Sequence, residues 1–288
     1  MKLTIKTPAK INLFLEITGR RPDGYHNLES IMQTVSLYDE LDFELSDSIS
    51  ISLAPCGRGQ GEGLPLDDNN IVIKAAKSLK ENFNIQKGVK ITLKKNIPLG
   101  AGLGGGSSDA AAAIKALVKL WDIKAEKEKL NKIAAKLGAD VPFFLTGGAA
   151  LCEGIGEIVT PLRNSALSLV LANPGFGVPT PSVYKKVKLP FTNTQKIDKI
   201  KNLINEGSFN VDNAKEACFN RLEDFVLNDY PEIKKIKDVL ASSDCASFMS
   251  GSGATVFGIY QSEDREKIET ELKKYSWSYW FVETLPSF

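Results

Sequence analysis

A chain of 288 residues, 43% of them hydrophobic and 25% charged, has the balance of an ordinary globular protein and enough apolar mass for two domains or one large one. A formal net charge of +1 leaves no basic field to argue for a nucleic-acid partner or an acidic membrane surface. Four cysteines without C-x-x-C spacing and a single histidine speak against a disulfide framework and a zinc site, so a reducing cytoplasm is the expected setting.

The first residues, Met-Lys-Leu-Thr-Ile-Lys-Thr-Pro, carry no apolar stretch of signal-peptide length, and no later run approaches a membrane span. Leu3 and Ile5, then Ile11, Leu13, Leu15 and Ile17, recur at period two and predict strands with one buried face. The opposite face carries Lys10, Asn12, Phe14 and Glu16. A turn, Gly19-Arg-Arg-Pro-Asp-Gly24, then presents Tyr25 and His26 from a loop, where a histidine by itself reads as a surface residue. Residues 41–45 and 49–53 alternate again, which predicts an antiparallel-rich sheet in the first half. Gly57-Arg-Gly-Gln-Gly-Glu-Gly63 has no periodicity and reads as a loop. Asn69 or Asn70 then caps a helix whose Val72, Ala75, Ala76, Leu79 and Phe83 keep helical spacing, and a strand follows over 89–93.

Next comes the densest glycine stretch, Pro98-Leu-Gly-Ala-Gly-Leu-Gly-Gly-Gly-Ser-Ser-Asp109, running into four alanines. Glycine on this scale marks backbone that takes positive φ or approaches something closely. Ser107, Ser108 and Asp109 are good helix caps and the alanines are strong helix formers, so a helix is predicted to start here. A glycine loop feeding a helix N-terminus points several N–H groups and the positive end of a dipole at one space, which suits phosphate. No G-x-x-x-x-G-K-[ST] occurs, so this is not a Walker loop. Gly100-Ala-Gly102-Leu-Gly-Gly105 satisfies G-x-G-x-x-G, but six residues separate the strand from the glycines. The acidic residue expected about twenty positions on, Asp122, follows a helix rather than a strand. The dinucleotide-binding reading fails on that context.

Helices carrying Ile114, Leu117, Val118 and Trp121, and then Leu130, Ile133, Ala134 and Leu137, follow, the second closed by Gly138. Asp140 then precedes the apolar Val141-Pro-Phe-Phe-Leu145, and two readings stay open: a cap for a short helix at Pro142, or a functional acid. Beyond a boundary expected near residue 160, strands are predicted at 167–172, 246–250, 254–260 and 280–282. Helices are predicted at 197–204, 214–226, 233–240 and 264–275, with a turn opening a helix at Thr180-Pro-Ser-Val-Tyr184. Gly251-Ser-Gly253 reads as a hairpin turn. The second half is therefore α+β.

Together, Pro8-Ala-Lys-Ile-Asn-Leu13, Pro98-Leu-Gly-Ala-Gly-Leu-Gly-Gly-Gly-Ser-Ser-Asp109 and Ser250-Gly-Ser-Gly-Ala-Thr255 resemble the three motifs of the galactokinase, homoserine kinase, mevalonate kinase and phosphomevalonate kinase (GHMP) superfamily. Gly24-Tyr-His-Asn-Leu28, Gly138-Ala-Asp-Val-Pro142 and Pro179-Thr-Pro181 make the chain similar to the branch that acts on a cytidyl diphosphate sugar alcohol in non-mevalonate isoprenoid synthesis. The resemblance covers essentially the whole chain. It implies an α+β, two-domain GHMP kinase architecture: a ribosomal protein S5 domain 2-like ATP-binding domain over residues 1–160 and a ferredoxin-like domain over 161–288. It implies phosphoryl transfer from ATP, with Mg²⁺ accompanying the nucleotide, to a tertiary hydroxyl of the acceptor. By the same resemblance Lys10 and Asp140 would be the catalytic pair. Pro98, Leu99, Gly100, Ala101, Gly102, Leu103, Gly104, Gly105, Gly106, Ser107 and Ser108 would hold the triphosphate, and Asn70 and Lys95 the adenine. Asn12, Tyr25, His26, Thr180 and Tyr184 would hold the acceptor, with the two tyrosines on the faces of the cytosine and His26 at its edge. Small molecules are then the expected partners, with no nucleic acid or membrane, and the expected state is a monomer or weak homodimer. The alternatives are another small-molecule GHMP kinase and a non-catalytic protein of the same fold.

Overall fold

The computed structural model describes residues 2–55, 61, 63–187 and 196–287; most of the loop expected at 57–63, and Cys56, lie outside the described residues. The chain forms two compact units that are not its two halves. One comprises Met1–Ala9, Leu37–Leu99 and Gly104–Thr146, and the other Lys10–Ser36, Gly100–Leu103 and Gly147–Phe288. The glycine stretch thus contributes residues to both. So do the first two strands, β1 (Lys2–Arg20) and β2 (His26–Ser46).

In the first unit, β2 pairs antiparallel with β4 (Gly88–Lys94), from Glu40 opposite Lys94 to Ser46 opposite Gly88. β3 (Ile49–Leu53) lies parallel to β4 on its other side. Four helices complete the unit: α1 (Ile71–Phe83), α2 (Gly105–Leu120), α3 (Lys127–Leu137) and α4 (Val141–Thr146). The expected cap of α1 is Asn70, whose side chain accepts from the Val72 N–H at 2.8 Å. α2 packs on both α1 and α4. Its buried run Ala110, Ala111, Ala112 and Ala113 suits that role, because small side chains let neighbouring helices approach closely. Gly138 closes α3 in extended backbone rather than the left-handed conformation expected of a terminating glycine.

In the second unit, β5 (Ala149–Gly154) pairs antiparallel with the first part of β2, and β6 (Ile158–Pro161) with β5. This hairpin escapes prediction because glycines bracket its short strands. The alternation of β1 predicts one buried face, yet Thr7 to Ile17 are buried on both. Phe14 meets the Phe219 ring at 5.8 Å, and the Glu16 carboxylate takes two hydrogen bonds from Arg221 at 2.7 and 2.8 Å.

The same segment corrects another expectation. The helix predicted over 214–226 is split into α7 (Val211–Ala217), strand β8 (Phe219–Asn220) and α8 (Glu223–Val226), after α5 (Thr180–Tyr184) and α6 (Lys196–Glu206). β8 pairs parallel with β1, Phe14 opposite Phe219. The Asn220 amide donates to the Met249 and Gly251 carbonyls at 2.7 and 2.8 Å. These tertiary bonds outweigh a local helical preference worth only tenths of a kcal/mol, on the order of 0.5 per residue.

A second sheet has the order β11–β7–β10–β9, formed by β7 (Ser168–Asn173), β9 (Ala246–Met249), β10 (Val256–Tyr260) and β11 (Ser278–Glu283), all antiparallel. With α9 (Pro231–Ser242) and α10 (Arg265–Leu272) in the chain between strands, this is the expected ferredoxin-like arrangement. Val170, Ala172, Val256, Ile233, Ile236, Leu240, Ile268 and Leu272 share its core. Among the described residues no helix is long and apolar enough to cross a membrane.

Candidate active site

The glycine stretch is built as its composition requires. Gly100, Gly102 and Gly104 take φ of 62, 77 and 68°, the left-handed region closed to most side chains. Gly104 is itself the N-cap of α2 and provides no side-chain cap bond. The serines and Asp109, expected as caps, instead lie within the first two turns, because the helical ladder already begins with Ser108 N–H donating to the Gly104 carbonyl at 2.9 Å. The N–H groups of Gly105, Gly106 and Ser107 precede that bond, so the helix offers them no acceptor of its own. An uncapped start on a 16-residue helix is a strong place for an anion.

In the second unit the middle of the stretch is held by backbone. Lys10 N–H donates to the Leu103 carbonyl at 2.9 Å, Thr255 N–H to the Ala101 carbonyl at 3.2 Å, and the Ser250 hydroxyl to the Gly102 carbonyl at 2.9 Å. A Cβ on Gly102 would stand 2.1 Å from the Ser250 carbonyl oxygen, so only glycine fits. Lys10, buried in β1, donates from Nζ to Asn12 Oδ1 at 2.6 Å. Asn12 in turn donates to the Ser30 hydroxyl at 2.8 Å, and Ser30 to the Phe14 carbonyl at 2.7 Å. A Cβ on Gly251 would come 3.4 Å from Lys10 Nζ and 3.2 Å from the Gly102 carbonyl. Lys10, Asn12, Gly102 and Gly251 therefore form one cluster. Ser250, which supports it, opens the third sequence motif, whereas Ser30 and Asn220 lie outside the motifs. Ser30 lies at period two in a strand not foreseen, and Asn220 lies in a segment read as helix.

The aromatic residues gather in the same unit. His26 opens β2 and is buried, with its ring 5.6 Å from that of Tyr184 in α5. Burial, and then the nearby Arg20 charge, hold its imidazole below the usual range, so the neutral form is favoured. Tyr25 is 60% exposed, held at its backbone by Asp23, which Arg21 grips. Thr180 shares a hydrogen bond of 2.7 Å with Ser252 of the second glycine turn. The loop histidine expected at the surface is a buried one facing a tyrosine.

In the first unit Asp140 is half-buried immediately before α4. A Cβ on Gly138 would lie 3.8 Å from the Ser107 hydroxyl, which sets Gly138, two residues before Asp140, against the start of α2. Asn70 and Lys95, expected at the adenine, are engaged otherwise. The Asn70 side chain caps α1 and donates to the Pro65 carbonyl at 2.7 Å. Lys95, 1% exposed, bonds the buried carboxylates of Asp39 and Asp109, the latter at 2.9 Å. Burial pushes the Asp109 carboxyl up to about 7 against the pull of Lys95. Burial would also draw the Lys95 ammonium down, but the Asp109 and Asp39 charges outweigh it and hold it above its usual range.

GHMP kinases N terminal domain matches residues 70–148 and GHMP kinases C terminal matches 193–276. The homoserine kinase of Cytophaga hutchinsonii, 18% identical, superposes with a TM-score of 0.78 over 99% of this chain and 95% of its own, a likeness of fold. Fold and paired domains define a GHMP kinase, an ATP-dependent kinase of small molecules. Two curated relatives are 4-diphosphocytidyl-2-C-methyl-D-erythritol kinases. That of Thermoanaerobacter pseudethanolicus is 40% identical over 98% of this chain and 94% of its own. That of Clostridium perfringens is 42% identical over 90% and 88%. A crystal structure of 4-(cytidine 5'-diphospho)-2C-methyl-D-erythritol kinase, 32% identical, gives a TM-score of 0.81 over 98% of this chain and 99% of its own. The chain belongs to the 4-diphosphocytidyl-2-C-methyl-D-erythritol kinase family.

Proposed function

We propose that the protein transfers the γ-phosphoryl group of ATP to the 2-hydroxyl of 4-diphosphocytidyl-2-C-methyl-D-erythritol, giving the 2-phosphate and ADP in non-mevalonate isoprenoid synthesis. The observation that carries this is the uncapped start of α2, where left-handed Gly104 precedes three N–H groups to which the helix offers no acceptor. The acceptor is supported by the named relatives and by the aromatic pair His26 and Tyr184, since a base needs a π face and a hydrogen-bonding edge.

In the reaction a bond forms between the acceptor O2 and Pγ while the bond from Pγ to the oxygen bridging the β-phosphate breaks. Phosphoryl transfer has a loose transition state and asks the protein mainly for alignment and charge stabilisation. The N–H groups at the start of α2 hold the triphosphate. Lys10 stabilises charge on the transferred group, and the Asp140 carboxylate orients the hydroxyl and receives its proton. Asn12, its carbonyl oxygen turned to Lys10 and its amide fixed by Ser30, lies against the acceptor. Tyr25 and Tyr184 flank the cytosine.

Mg²⁺ fits as a passenger of the nucleotide. Among the described residues no group of three or more His, Cys, Asp or Glu side chains could hold a metal alone. Mg²⁺ on phosphates needs only one or two protein oxygens, which Ser107 and Ser108 in the first turn of α2 and the Asp140 carboxylate would supply. When bound, it neutralises charge on the phosphate oxygens.

The test is ADP release with the cytidyl substrate, homoserine and mevalonate offered in turn to wild type, Asp140→Asn and Lys10→Ala. Wild type should turn over the cytidyl substrate alone. Asp140→Asn should lose about 10²-fold or more in kcat while still binding ATP. Turnover of homoserine or mevalonate instead would replace the substrate, and normal turnover by Asp140→Asn would remove the carboxylate from the chemistry.

A further inference from the structure

Both chain ends of the glycine stretch are tied to one buried charge cluster. On the entering side, Asp39 Oδ1 accepts from the backbone N–H groups of Asn96 and Ile97 at 2.6 and 2.8 Å, the residues just ahead of Pro98. Its other oxygen bonds Lys95. On the leaving side, Lys95 reaches Asp109 Oδ2 at 2.9 Å, in the second turn of α2. The remaining Asp109 oxygen accepts from the Thr7 hydroxyl at 2.8 Å. Lys95, Asp39, Asp109 and Thr7 are each 2% exposed or less. A Cβ at Gly105 would stand 2.8 Å from Lys95 Nζ and 2.9 Å from the Ile97 side chain. The first helical residue is a glycine so that the ammonium can pass beneath the very turn whose N–H groups face the anion.

Two carboxylates and one ammonium, all out of water, are a costly way to hold a core together, since apolar residues of similar volume often do as well or better. Such a cluster is better spent on geometry. Charge-assisted bonds are short and directional, and they fix the strand-side entry and the helix-side exit of the loop relative to one another.

We propose that the buried chain Asp39–Lys95–Asp109 is the positioning device of the phosphate loop, setting the angle at which the first N–H groups of α2 meet the triphosphate, with Lys95 supporting the loop from below rather than touching adenine. The proposal rests on the kinase reading of the site. It makes Lys95, Asp39 and Asp109 positioning residues for the donor, with no part in acceptor recognition.

Asp109→Asn tests it, because the isosteric amide removes one charged partner of Lys95 without creating a cavity. Binding of ATP and of adenosine would be followed by calorimetry, beside the KM for each substrate. Expected is a loss of about tenfold in ATP affinity and a matching rise in its KM, from misdirected N–H groups. Adenosine binding and the acceptor KM should stay within about twofold, because neither contacts the phosphate cradle. Thr7→Val, which loosens Asp109 from outside the loop, should move ATP affinity the same way by less. Parallel losses for adenosine and acceptor would mean general loosening and would overturn the proposal, as would unchanged ATP affinity in both variants. Wild type that binds no ATP would instead bring down the kinase reading itself.

Discussion

The glycine turn at 100–106 runs into a helix, whereas the turn at 251–253 runs into a strand. Both use left-handed glycines, Gly100, Gly102 and Gly104 in one and Gly251 and Gly253 in the other. In the second turn the Gly253 N–H is spent on the Ser250 carbonyl, and the flanking residues are tied down as well, Ser250 N–H donating to the Thr255 carbonyl and Thr255 N–H to the Ala101 carbonyl. In the first turn the helix start leaves its N–H groups without helical acceptors. The second turn supports the first, with the Ser250 hydroxyl and carbonyl both set against Gly102. Glycine content does not separate these roles. The helix or strand that each turn opens does.

The sharpest way to break this division is Gly102→Ala. The added methyl would meet the Ser250 carbonyl at 2.1 Å at a residue with φ of 77°, so the two turns must part. Turnover should fall by about 10²-fold or more, from displacement of the cradle. Near-normal kcat/KM would show that the close approach of the turns does not matter. Ser250→Ala is gentler, since it removes only the hydroxyl donor to the Gly102 carbonyl. One such bond is worth about 1 kcal/mol, so a rise of roughly fivefold in the ATP KM is expected with the acceptor KM little changed. An acceptor-selective effect would place the supporting turn on the wrong substrate.

A third test reads stability and concerns Asp109, in the helix that the first turn opens. Its folded pKa lies at about 7 against an ordinary aspartate value of 3.8, so the folded protein binds this proton more tightly. The group's contribution to stability is complete below 3.8 and is lost as pH rises through about 7. Relative to Asp109→Asn, wild-type unfolding midpoints should therefore decline across that window. Parallel pH profiles for the two proteins would show that Asp109 does not titrate there.

Much of this was readable in the residues. Period-two alternation located β1, β3, β4 and the ferredoxin-like strands, and Asn70 was visible as a cap because a polar residue stood directly before a helical repeat. The alternation over 41–45 marked the end of β2, but its start and the split at 218–220 were not visible, because Leu28, Ile31, Met32 and Val35 do not keep period two and Asn220 is held by carbonyls 29 and 31 residues away. The turn ahead of α2 was legible in its glycine spacing. Lys95 was not, since a lysine ahead of a phosphate loop looks like a ligand in one dimension and only packing reveals carboxylates 56 and 14 residues distant enclosing it.

The interleaving of the two units sets an order of assembly on the ribosome. Every residue of the first unit has been made once Thr146 is synthesised, and its partners are all close in time. The second unit begins with Lys10–Ser36 but cannot complete its ferredoxin-like sheet until β11 at 278–283 arrives to pair with β7. At roughly 5–20 residues per second, the apolar faces of Ile11, Leu13, Leu15 and Ile17 wait many seconds for segments such as 219–221. The nascent chain therefore carries its first unit fully synthesised and its second still open, and the interval between them is when a chaperone has something to hold.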